Sequence, residues 1–123
     1  MKNYSDKEVA EARKYVIDQL ETDVRNALNE RKEGDLSSTV FPATESYCEQ
    51  GAVYVEFDDF SKEFPKLILA RKGQKLDLYL YVGSIREITN LELVKEFGEY
   101  SADKVKEAID TYFLRVRRII EIR

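Results

Sequence analysis

The 123-residue chain carries 24 acidic against 20 basic side chains, a formal net charge of -4, with 43% of its residues hydrophobic. That balance suits one soluble domain with a core of its own, and it excludes both a disordered chain and a surface that is a nucleic-acid footprint throughout. There is no histidine and Cys48 is the single cysteine, so histidine-activated nucleophiles, imidazole-ligated metals, cysteine zinc sites and internal disulfides are all removed.

Catalysis would have to run on carboxylates, lysine, tyrosine or arginine, and the chain reads as a non-enzyme that needs no metal and no cofactor. The first twenty residues scatter charges through every apolar run. Neither a signal peptide nor a membrane anchor is expected there, and a cytoplasmic setting is.

Ser5-Asp6-Lys7-Glu8 reads as a capping box at the start of a long helix. Val9, Ala12, Val16, Leu20, Val24, Ala27 and Leu28 then recur as one apolar stripe, and Gly34 offers a stop. At 1.5 Å per residue the helix would be a rod of about 40 Å, longer than a globule of this size is wide. Its polar end, RNALNERKEG, is therefore expected to project, fray or pack on a second copy of the chain, which leaves a homodimer open.

Residues 35–46 read as a loop leading into an edge strand near Val40 to Cys48. Ala52 to Phe57 alternates Val53, Val55 and Phe57 against Tyr54 and Glu56, the pattern of a half-buried strand. Lys66 to Arg71 and Lys75 to Val82 form a hairpin around Gly73, with Leu67, Leu69, Leu76, Leu78, Leu80 and Val82 on one face in either turn register. Thr89-Asn90-Leu91-Glu92 has the form of a second capping box, opening a short helix through Leu91, Val94 and Phe97 that Gly98 closes. Ser101 caps a last helix with Val105, Ala108, Ile109, Tyr112, Val116, Ile119 and Ile120 as its stripe. The expected fold is a single α+β domain over residues 1–123: a long N-terminal helix, a three- to four-stranded antiparallel meander, and two C-terminal helices on one sheet face.

Four stretches are candidates for function. In EFDDFSKEF, Phe57, Phe60 and Phe64 anchor a connection between strands, while Asp58, Asp59 and Glu63 face water. A divalent cation there would need a third ligand, Asp77 or Glu56, and the alternate oxygen ligands and central glycine of a calcium loop are missing. Charge is unevenly spread: Glu45 to Glu63 holds six acids against Lys62, and Lys66 to Lys75 holds Lys66, Arg71, Lys72 and Lys75 against no acid. The sheet face opposite the leucines carries Tyr54, Glu56, Ile68, Ala70, Asp77, Tyr79 and Tyr81. Phenols among acids suit protein contact better than phosphate. Finally, RVRRIIEIR gathers Arg115, Arg117, Arg118 and Arg123, which favour the macrodipole at a helix C-terminus.

Together these point to a small acidic interaction module, an adaptor, inhibitor or immunity-type protein, docking to a basic protein partner. Tyr54, Tyr79 and Tyr81 would be its anchors, and Glu56, Asp58, Asp59 and Asp77 would set specificity. The alternative is nucleic-acid or phospholigand binding through Arg71, Lys72 and Lys75 at the hairpin tip with Arg115, Arg117 and Arg118 of the last helix. Cys48 reads as a small buried hydrophobe.

Overall fold

The structure, a computed structural model, describes residues 5–31, 38–43, 51–57, 61, 63–72, 74–84 and 87–122. Helix α1 (Asp6–Arg31) leads into five strands, β1 (Ser38–Ala43), β2 (Ala52–Phe57), β3 (Lys66–Lys72), β4 (Lys75–Ser84) and β5 (Glu87–Glu99), and helix α2 (Ala102–Ile122) follows. The strands form one antiparallel sheet in the order β1-β2-β3-β4-β5, a plain meander with β1 and β5 at its edges. The α+β architecture stands, with five strands rather than three or four and a single C-terminal helix rather than two.

Helix α1 starts where expected: the Ser5 hydroxyl accepts a hydrogen bond from the Glu8 amide at 3.2 Å. Its buried side is Ile17, Leu20, Val24 and Ala27. Val16 is only half-buried and Ala12 is exposed, so the stripe begins a turn later than its sequence spacing implies. The polar end of α1 is the docked end. Arg31 stacks on the Phe113 ring with its guanidinium carbon 4.4 Å from the centroid and donates to Asp110, while Glu30 pairs with Lys106 at 3.0 Å. The exposed segment is instead the first half, where Lys7, Glu8, Glu11, Lys14 and Tyr15 meet solvent.

Both helices pack on the leucine face of the sheet. Leu67 lies opposite Leu80 and Leu69 opposite Leu78, and with Val53, Val55, Leu76, Leu20, Val24, Val105, Ile109 and Val116 they form the main core. Lys72 pairs with Lys75 at the end of the β3–β4 hairpin. Phe57 and Phe64, on either side of the β2–β3 connection, are anchored in the main core as expected, Phe57 stacking on Tyr112 at 5.8 Å and meeting Phe113 edge-on at 5.7 Å, and the Tyr112 hydroxyl donates to the Pro65 carbonyl at 2.8 Å. Phe60, Asp58, Asp59 and Cys48 lie outside the described residues.

The segment expected to be a short helix is β5. Its pairing with β4 shifts three times, between Leu76/Asp77, Leu78/Tyr79 and Val82/Gly83, and each shift leaves one additional β5 residue opposite the shorter strand. Thr89, Val94 and Phe97 are those additional residues, which is why thirteen residues of β5 match ten of β4. Bulges stretch a period of two toward three, so Leu91, Val94 and Phe97 imitate helical spacing in the sequence. Phe97 is buried in the main core and Val94 packs against it. Gly98, expected as a helix stop, holds φ +76° beside the bulge at Phe97. The last helix is capped as expected, with the Ser101 hydroxyl accepting from the Lys104 amide at 3.1 Å.

Candidate functional site

The three tyrosines expected to face solvent are buried: Tyr54 is 6% exposed, Tyr79 9% and Tyr81 0%. They lie on the sheet face away from the helices and form a second cluster with Ala52, Ile68, Ala70 and, at its margin, Ile88. Tyr81 reaches over β3 to donate to the Val55 carbonyl at 3.3 Å, and its ring centroid is 6.0 Å from that of Tyr54. Buried phenols offer a partner no contact area, so the anchoring role expected of Tyr54, Tyr79 and Tyr81 is corrected to a structural one.

Lys66 belongs to the same face and is also buried, its ammonium 5.8 Å from the Tyr81 centroid. Among the described residues it donates to the carbonyls of Ser61 at 3.1 Å, Phe64 at 3.3 Å and Gly83 at 3.1 Å. Burial holds its pKa below the usual lysine value, opposed by the charge of Glu56. These bonds tie the β2–β3 connection to the end of β4.

Arg71, expected at an exposed basic tip, faces the helices and is 4% exposed. Its guanidinium donates to Gln19 and to Gln74, both at 3.2 Å, and lies 4.0 Å from the Tyr100 ring centroid. Tyr100 in turn donates to the Asp23 carboxylate, and burial, followed by that carboxylate, raises its pKa. The cluster of Gln19, Asp23, Arg71, Gln74 and Tyr100 clamps the hairpin end against α1. Nothing in the spacing of these residues shows it, because they come from three separate elements.

Lys72 and Lys75 are exposed and directly opposite each other. The arginines of α2 do not join them. Tyr100 donates its amide to the Gln74 carbonyl at 2.6 Å, which puts the start of α2 at the hairpin tip. Arg115 then lies thirteen residues past Ala102, about 20 Å further along the helix axis. Arg115 pairs with Glu92 at 3.0 Å, and Arg117 and Arg118 are exposed beyond it. The expected phosphate site is therefore separated into two distant groups, with Arg71 withdrawn from both.

The register of β4 and β5 assembles a different surface. On the face away from the helices, Tyr81 lies opposite Leu91, Tyr79 opposite Leu93, Asp77 opposite Glu96, and Lys75 opposite Glu99. Leu91 is 38% exposed and Leu93 46%. The rim of this face is thus an apolar ledge on a floor of buried phenols, continuing into an acidic end. Lys95 pairs with Leu78 and lies 5.0 Å from the Phe97 centroid, which turns it to the helix side. Glu56 is half-buried two strands away, on β2.

Asp77 is 6% exposed, and among the described residues no hydrogen bond or ion pair reaches it. Burial and then the charge of Glu96 push its pKa above the usual carboxylate range, while Lys72 and Lys75 act in the opposite direction. Of the acids expected to set specificity, Asp77 is the one this surface contains. Leu91, Leu93 and Glu96 escaped notice in the sequence because they fell in the supposed helix; the alternation Leu91-Glu92-Leu93 is the signal that could have found them.

Two other features offer less. A groove of about 130 Å³ opens between α1 and β1, lined by Arg25, Leu28, Asn29, Ser38 and Val40, but Arg25 is engaged by Glu21 at 2.9 Å and by the Val40 carbonyl at 3.4 Å. Among the described residues no group of three or more Cys, Asp or Glu is placed to hold a metal, and no helix is long and apolar enough to cross a membrane. No family model, curated protein or solved structure matches the chain.

Proposed function

We propose that the protein is a small acidic interaction module, an adaptor or inhibitor, that docks to a basic protein partner through the β5 rim of the sheet face turned away from its helices. Leu91 and Leu93 are the apolar contacts, and Asp77, Glu96 and Glu99 supply the charge that selects the partner. The observation that carries this reading is the pair of adjacent leucines left 38% and 46% exposed on one face of an edge strand. Exposed leucines scattered singly mean little, as with Leu114 on α2, whereas two on one face beside three carboxylates form a surface. The tyrosines beneath them are a rigid floor. A cytoplasmic place of action belongs to the same proposal.

Capture of binding partners from a lysate by the wild-type chain and by Leu91→Ser/Leu93→Ser tests it. Both positions are exposed, so the double variant should fold. Loss of the basic proteins that the wild type retains is the expected result. Recovery of the same set by both chains would remove β5 as the docking surface, and retention of oligonucleotides instead would favour the exposed lysines of the hairpin tip.

A further inference from the structure

We infer that Asp77 and Glu96 form a notch for one cationic side chain, the guanidinium or ammonium group of an arginine or lysine on the partner. The inference rests on the docking surface proposed above and names the contact that makes it charge-selective.

Three observations meet at this point. First, Asp77 and Glu96 are directly opposite in the β4–β5 ladder and so extend on the same side of the sheet. Two carboxylates in that relation repel each other unless a cation or a proton comes between them. Second, Asp77 is 6% exposed without a hydrogen-bond partner among the described residues. The fully enclosed, unpartnered side-chain atoms among the described residues are the Nε atoms of Arg31 and Arg71. The oxygens of Asp77 are not among them, so they keep an opening through which a donor can reach.

Third, the chain's own cations leave Asp77 without a bonded partner among the described residues. The bulge at Val94 turns Lys95 toward the Phe97 ring on the helix side. Lys75 has Glu99 directly opposite, and Lys72 has Lys75. Three carboxylates therefore stand against two ammonium groups on this part of the face, and Lys72 and Lys75 act on the charge of Asp77 without a hydrogen bond or ion pair to it among the described residues.

The neighbouring residue completes the fit. Leu93 lies next to Glu96 along the same face, over Tyr79, and gives the aliphatic stem of a long basic side chain an apolar bed while its head reaches the carboxylates. Arginine suits the site better than lysine, because its planar fork can donate to both carboxylates at once. A divalent metal is the poorer occupant, since no third acidic ligand stands with the pair among the described residues.

The probe is ethylguanidinium chloride, titrated into the full chain at constant ionic strength and followed by amide chemical shifts, with tetramethylammonium chloride as the reference cation. Saturable shifts centred on Asp77, Tyr79, Leu93 and Glu96 are expected. Asp77→Asn and Glu96→Gln should each weaken binding about tenfold, the order of one lost charge-assisted hydrogen bond. Asp18→Asn, exposed on α1, should change it by less than about twofold, as for an exposed charge outside the docking face. Equal shifts at Glu92, Asp110 and Asp18, or an affinity indifferent to Asp77→Asn and Glu96→Gln, would overturn the notch. A chain whose partner capture depends on Leu91 and Leu93 while its ethylguanidinium binding ignores Asp77 and Glu96 keeps the docking surface and loses the notch; the opposite pattern keeps the notch and removes the surface.

Discussion

The guanidinium of Arg71 lies 4.0 Å from the ring centroid of Tyr100, and the hydroxyl of the same tyrosine donates to Asp23. One tyrosine thus touches both a buried cation and a carboxylate, joining β3, the β5–α2 connection and α1. Arginine is suited to this place because its flat, weakly hydrated group stacks while its ends still donate to Gln19 and Gln74. Arg71→Lys should therefore destabilise by about 1–3 kcal/mol despite keeping the charge, and Tyr100→Phe by about 1 kcal/mol for the lost hydrogen bond. Urea unfolding of both variants measures this; a neutral Arg71→Lys would show that the stack contributes nothing.

Asp77 gives a pH dependence of defined sign. Its carboxyl is held above the usual range by burial and by Glu96, with Lys72 and Lys75 opposing. The native state thus holds the Asp77 proton more tightly than the unfolded chain does. The contribution of this group to stability declines as pH rises from the ordinary carboxylate pKa through the raised one. Asp77→Asn should raise the melting temperature at pH 7, and the gain should shrink at pH values below the ordinary carboxylate range. Thermal melts of both chains across that interval check it, and a gain that grows on acidification would reverse the sign.

Gly98 holds φ +76° with no atom within 4 Å of the place a Cβ would occupy. The cost of a side chain there is one of backbone conformation, since space is available. Gly98→Ala should cost about 1–2 kcal/mol, and Gly98→Asn less, because asparagine tolerates the left-handed region better. Equal costs for the two, measured by chemical denaturation, would mean that β5 relaxes around the substitution.

Floor and rim of the docking face should separate cleanly in stability. Tyr81→Ala empties a fully buried site and should destabilise by about 3–5 kcal/mol, and Tyr81→Phe by about 1 kcal/mol for the bond to the Val55 carbonyl. Leu91→Ser and Leu93→Ser should each stay within about 1 kcal/mol of wild type. Calorimetry on the four variants orders them; a large loss at Leu93 would place it in the fold rather than on a contact surface.

Local patterning by itself determined the two long helices and three of the strands. Capping serines at Ser5 and Ser101, a buried stripe at helical spacing, and strict alternation from Ala52 to Phe57 and through the β3–β4 hairpin are short-range signals, and chain geometry converts them directly into faces. Alternation also separated the tyrosines from the leucines correctly. What it could not determine was how much of either face water reaches. Tyr54, Tyr79 and Tyr81 are buried in one cluster with Ala52, Ile68 and Ala70, and Arg71 is withdrawn because Gln19 and Tyr100, distant in the chain, close over it.

Strand β5 marks the same boundary most sharply. Its bulges exist because Val94 and Phe97 gain more by entering the core beneath α2 than regular pairing with β4 would give them. That choice requires the helix and the sheet to be present together, so a window of sequence reads it as a helical repeat. The acid pair at Asp77 and Glu96 and the leucine ledge beside it follow from the resulting register. Residue types and their local spacing were written in the chain; which of them stand opposite one another was decided only when the elements packed.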